Sequence, residues 1–365
     1  MKKSVLTLCF ISLFFNFSSF AEPSIDGALL EQIGPDLHHP WGMDFLSEDQ
    51  LLVSERVGQL FQIDLVTSAH TAISGLPKIG AHGQGGLLDV LVHPADKGQT
   101  DPRVFYCYSK PKPRGFATAI DSAVLVDDQL IDRQPLFTSN HTSRAGQHFG
   151  CRLVWRDGVL YASLGDRGDR YTAQDTGDHS GSIIAVPIDD VALPDRPDSW
   201  AKDIYSIGHR NPQGMALDPD TGALYAHEHG PQGGDEINLI LPGANYGWPR
   251  YSHGEEYGGG VIGSKSGPDA RDPLWVWVPS IAPSGMAFYQ GEMFPSLKGH
   301  MLVGSLKFKS LYAVQQDGRG GFLSEHVLLK NIIGRIRDVS VAADGSVLLL
   351  TDAPTGGLYR LYQAQ

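Results

Sequence analysis

Short apolar runs, each entered through a turn, recur along the chain, while helical spacing of apolar positions is hard to find. DQLLVSE begins near Asp49, PRVFYCYS near Pro102 and GVLYASLGD near Gly158. GALYAHEHG follows near Gly222, GHMLVGSL near Gly299 and GSVLLLTDA near Gly345. Such runs between Gly, Pro and Asp clusters predict strands. GQLFQIDL, SLYAVQQD and GGLYRLYQ supply further strands soon after. Spacings of roughly 50 to 80 residues leave room for a four-stranded blade with variable loops. The expected fold is therefore all-β, a six-bladed β-propeller with four-stranded antiparallel blades. Two packed sandwiches would leave the regular spacing unexplained. The stretch from Arg250 to Asp272 breaks the pattern and reads as a long loop between blades, able to cover the channel.

The start of the chain, MKKSVLTLCFISLFFNFSSFAEP, has two lysines, a short apolar core and a small residue at Ala21. It predicts a signal peptide over residues 1–21, a single propeller domain over 22–365 and export to the periplasm. The apolar stretch is shorter than the ~20 residues a membrane span needs, and no later segment is long enough, so stable membrane insertion is not expected. Losing Lys2 and Lys3 takes the net charge from −12 to about −14, which argues against a nucleic-acid partner. Cys107 and Cys151 then remain, in strand-like surroundings and a disulfide-permissive compartment, either bonded or as two buried thiols.

Polar residues crowd where strands should be. GHRNPQG through NYGWP, from Gly208 to Pro249, holds Arg210, Asn211, His229, Asp235, Glu236 and Tyr246. Such groups are costly beside buried strands unless they meet each other, a metal or a ligand. Gln84, His148, Lys307, Arg335 and Arg337 fall in four further places of this kind. With Arg210, the last three make four cations at strand boundaries of an acidic protein, which suggests either a ligand with several negative charges or scattered surface ion pairs. The R-x-R spacing puts Arg335 and Arg337 on one face of a strand. No Walker motif or strand-linked G-x-G-x-x-G supports a nucleotide, and no G-x-S-x-G frame supports a serine hydrolase. His148 suits a general base or a histidine bonded within a blade. Asp235 and Glu236, with Tyr246, suit oxygen ligation of Ca²⁺ or a solvated turn.

Together, His39-Pro40-Trp41-Gly42, GHRNPQG, EHGP…DEINLI…NYGWP and the late R-x-R-D resemble the soluble glucose/sorbosone dehydrogenases that use pyrroloquinoline quinone (PQQ), in particular their periplasmic aldose sugar branch. The resemblance implies a propeller with PQQ over the channel, held by calcium. It makes His148 the base that takes the proton of the sugar's anomeric hydroxyl, with Asp166 orienting it. Gln84 would contact substrate, and Arg210 both sugar and quinone. Asn211, Ser280, Lys307, Arg335 and Arg337 fall at PQQ-binding positions, and His229 stands where a PQQ-contacting glutamine is expected. Gly230 and Pro231 would offer carbonyls to the cofactor calcium, and Glu236 and Tyr246 would ligate a second, structural calcium. Gln147 in place of an acid and Val278 in place of an aromatic depart from the glucose enzymes, so the resemblance favours a broad aldose range.

The function expected from these readings is PQQ- and Ca²⁺-dependent oxidation of aldoses to lactones. Electrons would go to an external acceptor, since the chain has no CxxCH haem motif. A non-catalytic carbohydrate- or protein-binding propeller and a calcium-dependent lactonase are the alternatives. The oligomeric state is not expressed in any of these motifs.

Overall fold

The computed structural model describes residues 23–364 apart from 189, 190 and 194, so the expected signal peptide lies outside the described residues. Twenty-four strands form six four-stranded antiparallel sheets, and no α-helix occurs among the described residues. The first blade is β2 (Pro40–Phe45), β3 (Gln50–Glu55), β4 (Gln59–Asp64) and β5 (His70–Ile73). The second is β6 (Leu87–Val92), β7 (Arg103–Lys112), β8 (Gly115–Val126) and β9 (Gln129–Thr138). The third is β10 (Leu153–Arg156), β11 (Val159–Leu164), β12 (Ser182–Pro187) and β13 (Ile204–Ile207). The fourth is β14 (Pro212–Leu217), β15 (Leu224–Glu228), β16 (Asp235–Leu239) and β17 (Trp275–Trp277). The fifth is β18 (Pro283–Phe288), β19 (His300–Ser305), β20 (Ser310–Gln316) and β21 (Phe322–Lys330).

The sixth blade joins the chain's two ends: β22 (Ile336–Val341), β23 (Val347–Thr351) and β24 (Gly356–Tyr362) are completed by β1 (Leu29–Leu37). Leu29 pairs with Tyr362 and Ile33 with Leu358, which closes the ring and leaves neither end blade unpaired.

The six recurring sequence runs are the second strands of the six blades, β3, β7, β11, β15, β19 and β23. They stand out because neighbouring blades cover both their faces: β11 is buried along its whole length. Outer strands such as β21 alternate between half-buried and exposed and carry a weaker apolar signal. The 250–272 stretch lies within the fourth blade, between β16 and β17, and not between blades. Strand β17 is only three residues long, too short to register as a strand in the apolar pattern.

A disulfide joins Cys107 on β7 to Cys151 just before β10, with Cα atoms 5.7 Å apart, and so ties the second blade to the third. The bond closes a loop of 44 residues. Replacing both cysteines by serine is expected to lower unfolding stability by about 4 kcal/mol, from the lost constraint on the unfolded chain. Urea unfolding of the two proteins checks this, and coincident curves would contradict it.

Candidate active site

The ring architecture decides where function can sit. Residues just before the innermost strand of each blade, and the loops joining the second and third strands of the first, fourth, fifth and sixth blades, meet around one cavity. His39, Gln84, Phe149, Gly150, Asn211 and Ala282 come from the first set, and Arg56, His229, Lys307 and Asp352 from the second. They line a cavity of about 690 Å³ together with Trp41, Gln213, Arg335 and Arg337. Segments up to 313 residues apart in sequence are thereby in contact, as with His39 and Asp352.

Four cations (Arg56, Lys307, Arg335, Arg337) and one carboxylate (Asp352) line this cavity, in a chain of net charge −12. Asp352 Oδ2 accepts from Arg337 Nη2 at 2.8 Å and Arg335 Nη2 at 3.3 Å, while Oδ1 meets His39 Nδ1 at 2.7 Å. Burial pushes this carboxyl's pKa up, but the charge of Arg337, its hydrogen bond and that of His39 outweigh burial and hold it well below the usual range. One carboxylate thus orders two guanidiniums without neutralising them. Arg337 Nη1 also donates to Gln213 Oε1 (3.2 Å), and Gln213 Nε2 to Asn211 Oδ1 (3.1 Å). Arg337 Nε is buried with no hydrogen-bond partner in the protein, and Lys307 has no ion-pair partner among the described residues. The R-x-R pair therefore shares one wall, as its spacing predicts.

His148 stands at the cavity's edge beside Phe149 and Gly150. Its Nδ1 lies 2.6 Å from Asp166 Oδ1, and its backbone N–H donates to Gln84 Oε1 at 2.8 Å. Asp166 is buried, and its other oxygen accepts from the Trp248 indole N–H at 2.9 Å. Burial raises the Asp166 pKa, but the hydrogen bond and charge of His148, with the Gly168 N–H, hold it below the ordinary carboxylate value. An ionised Asp166 fixes Nδ1 as the protonated nitrogen and leaves Nε2 free to accept a proton.

The backbone beneath His148 is over-determined. His148 adopts φ 52° and Cys151 φ 82°, conformations that cost of order 1–3 kcal/mol each and persist only when the surroundings impose them. Arg167 supplies part of that constraint, donating to the carbonyls of Gln147 (3.1 Å), Phe116 (3.3 Å) and Ala145 (2.7 Å). With no carboxylate bonded to it, burial brings its pKa down to about 10, against the opposing charge of Asp166. Gly165 is required here, because a Cβ would sit 2.3 Å from the His148 carbonyl oxygen.

Arg210 is not among the residues that line this cavity; it contacts the segment carrying His229. Its Nη1 donates to the carbonyls of His229 (3.1 Å) and Gly230 (3.0 Å), and buried Glu228 accepts from its backbone N–H. Burial, with Arg210 and Arg337 nearby, lowers the His229 pKa to about 3 despite the Pro283 carbonyl. The neutral ring contacts that carbonyl through Nε2 at 2.7 Å. Ser280 does not line the cavity: its hydroxyl donates to Asp235, which also accepts from the N–H groups of Gly230, Ile281 and Ala282. Asp235 is thus the knot between the 229–231 and 280–282 segments.

Among the described residues, no three His, Cys, Asp or Glu side chains gather as a metal cage. Glu236, Tyr246, Gly230 and Glu228 share a small second cleft with Arg210. The Tyr246 hydroxyl is committed, donating to the Leu239 carbonyl and accepting from Leu241 N–H, so only its carbonyl is open to a cation. Burial and then the charge of Glu228 push the Glu236 pKa well above its usual value.

The motifs did not single out Trp248, Arg167, Arg56, Gln213, Glu228 or Asp352. Trp248, Glu228 and Gln213 lie inside NYGWP, GALYAHEHG and GHRNPQG, where a buried donor, acid and amide were available signals. Arg167 and Asp352 act through folds of the backbone that spacing does not reveal.

Fold and site together define a six-bladed propeller with a cation-rich cavity flanked by a histidine–aspartate pair. The chain belongs to the glucose/sorbosone dehydrogenase family, whose pattern it matches over residues 37–360. It is 36% identical to aldose sugar dehydrogenase YliI of Escherichia coli over 344 residues, 91% of this chain and 92% of that protein. It is 24% identical to quinoprotein glucose dehydrogenase B of Acinetobacter calcoaceticus over 422 residues, 92% and 87% of the two chains. The PQQ-bound structure of an aldose sugar dehydrogenase from Streptomyces coelicolor superposes with a TM-score of 0.75 at 25% identity, covering 93% of this chain and 99% of that one.

Proposed function

We propose that this chain is a periplasmic dehydrogenase that oxidises aldoses at the C1 hydroxyl to lactones, using PQQ and Ca²⁺ and passing electrons to an external acceptor. The observation that carries the reading is the coexistence of a cation-rich cavity with an oriented, unblocked imidazole at its edge. Three carboxylates of PQQ match a wall on which four cations face one acid. The partnerless Arg337 Nε and unpaired Lys307 are donors such a ligand would satisfy. Arg335, Arg337, Lys307 and Asn211 would hold its carboxylates and rim, with His229 beneath. Ser280 would act there through Asp235.

When bound, PQQ supplies the acceptor for the hydride leaving C1. The chain's own part is positioning and proton transfer. His148 Nε2 takes the proton of the anomeric hydroxyl, and Asp166, held by Trp248, stabilises the imidazolium that results. Gln84, braced by the His148 backbone, bonds a sugar hydroxyl. Arg210, bonded to the His229 and Gly230 carbonyls, would add positive charge beside the site.

Calcium would be held by oxygen donors, the type a hard cation takes. Gly230 and Pro231 would present carbonyls beside the cofactor, and Glu236 with the Tyr246 carbonyl would serve a structural ion. The mutual repulsion of Glu228 and Glu236 is what a divalent cation relieves.

The test is dye reduction with a panel of aldoses, with PQQ plus Ca²⁺, with each alone and with neither. Sugar-dependent reduction only with both supports the reading. Failure to bind PQQ overturns it and favours a binding propeller, and lactone hydrolysis with Ca²⁺ alone would favour a lactonase. Replacing Arg335 and Arg337 together by alanine is expected to weaken PQQ affinity by at least tenfold, since charge-assisted hydrogen bonds are worth about 1.5–3 kcal/mol each. PQQ titration followed by absorbance checks this, and an unchanged Kd would remove the carboxylate clamp.

A further inference from the structure

The loop that interrupts the fourth blade brings an aromatic close to Arg210. Its tip is a small hairpin: Glu255 pairs with Gln232 on one side and Val261 on the other, and Gly258, Gly259 and Gly260 turn the chain with φ of 93–115°. Arg170 clamps Glu256 with two hydrogen bonds of 2.5 and 3.0 Å. The same guanidinium lies over the Trp248 ring at 5.3 Å, and that indole holds Asp166 behind the base. The hairpin is therefore moored to the side chains that position His148.

Tyr257 sits between the clamp and the glycine turn. Its hydroxyl lies 3.5 Å from Arg210 Nη2, while the residue remains 71% exposed. A large ring held this far out of the core, with its polar tip beside Arg210, presents an apolar face to whatever enters. Pyranose rings have such a face, with hydroxyls at the edges, and an amphipathic aromatic matches both. Val278, 70% exposed beside the 230–234 turn, offers only aliphatic surface.

We infer that Tyr257 is a specificity-determining residue that contacts the aldose, its ring packing on the pyranose and its hydroxyl acting with Arg210 on a sugar hydroxyl. The inference rests on the aldose-oxidation reading above.

The experiment compares PQQ- and Ca²⁺-loaded wild type with Tyr257→Ala and Tyr257→Phe. KM and kcat are measured with aldoses, and affinity for 1,5-anhydroglucitol, a pyranose lacking the anomeric hydroxyl, by calorimetry. Tyr257→Ala is expected to raise KM and weaken anhydroglucitol binding by about 3- to 10-fold, with PQQ affinity unchanged. Tyr257→Phe should lose only the part owed to the hydroxyl. Unaltered KM and sugar affinity in Tyr257→Ala overturn the inference alone, as does an effect confined to PQQ loading. A wild type that neither oxidises aldoses nor binds the anhydro sugar overturns the inference and the reading beneath it together.

Discussion

Replacing His148 by alanine is expected to reduce aldose turnover by about 10²–10⁴-fold while PQQ still binds. In free energy this is about 3–5 kcal/mol of barrier, far more than the loss of one neutral hydrogen bond accounts for. The separation is predicted because His148 stands at the edge of the cation wall, and Arg335, Arg337 and Asp352 do not depend on it for their hydrogen bonds. Absorbance titration for PQQ and single-turnover dye reduction measure the two quantities independently. Unchanged turnover would remove His148 from the chemistry.

Asp166→Asn distinguishes orientation from folding in the same assay. An amide can still accept from the Trp248 N–H, yet it no longer stabilises a protonated imidazole. Turnover should fall with little change in thermal stability. Near neutral pH the acidic limb of activity should not come from Asp166 in the wild type, because its pKa lies below the ordinary aspartate value.

What was legible in the chain follows from how local each signal is. The six second strands were visible because both faces of each are covered, so local apolar density survives in every one. Strand β17 and the interior placement of the 250–272 stretch were not visible, since a three-residue strand owes its existence to pairing with β16 and not to its own pattern. For the site, Arg335 and Arg337 were legible as a pair because the period of a strand puts them side by side. Asp352, which orders both, lies on the turn after β23, where nothing in the spacing predicts its partners. Trp248 is similar: its motif carries part of the family resemblance, but its role emerges only when a loop of the fourth blade reaches Asp166 of the third. Polar residues were thus readable as candidates from chemistry alone, whereas their connections needed the ring to close.

Arg152→Ala is expected to destabilise the protein by about 3–5 kcal/mol, the usual loss when one partner of a buried charge pair is removed. Arg152 sits on the channel axis beneath the cavity, its Nη1 3.0 Å from both Asp89 and Asp338 and its Nε donating to the Gln213 carbonyl at 3.1 Å. Its guanidinium also lies over the Trp41 ring at 4.6 Å. Both carboxylates are committed elsewhere, Asp89 to Leu153 N–H and Asp338 to Met43 N–H, so they cannot turn away once the cation is gone. Burial first, and then the charge of Asp338, push the Asp89 pKa from an ordinary 3.8 up to about 7, with Arg152 opposing. A carboxyl whose pKa is higher folded than unfolded binds more protons in the folded state between about pH 4 and 7, so its contribution to stability declines as pH rises through that window. Without Arg152 the Asp89 pKa rises further, so ionising the two acids becomes more costly above pH 7 and is relieved on acidification. The destabilisation should therefore be largest near pH 8 and shrink toward pH 5. Urea midpoints of wild type and variant at the two pH values measure this, and a pH-independent difference would mean that lost packing against Trp41, not unpaired charge, sets the cost. Because Arg152 also holds the strand carrying Gln213, which links to Arg337 and Asn211, the same variant should bind PQQ more weakly even under conditions where it remains folded.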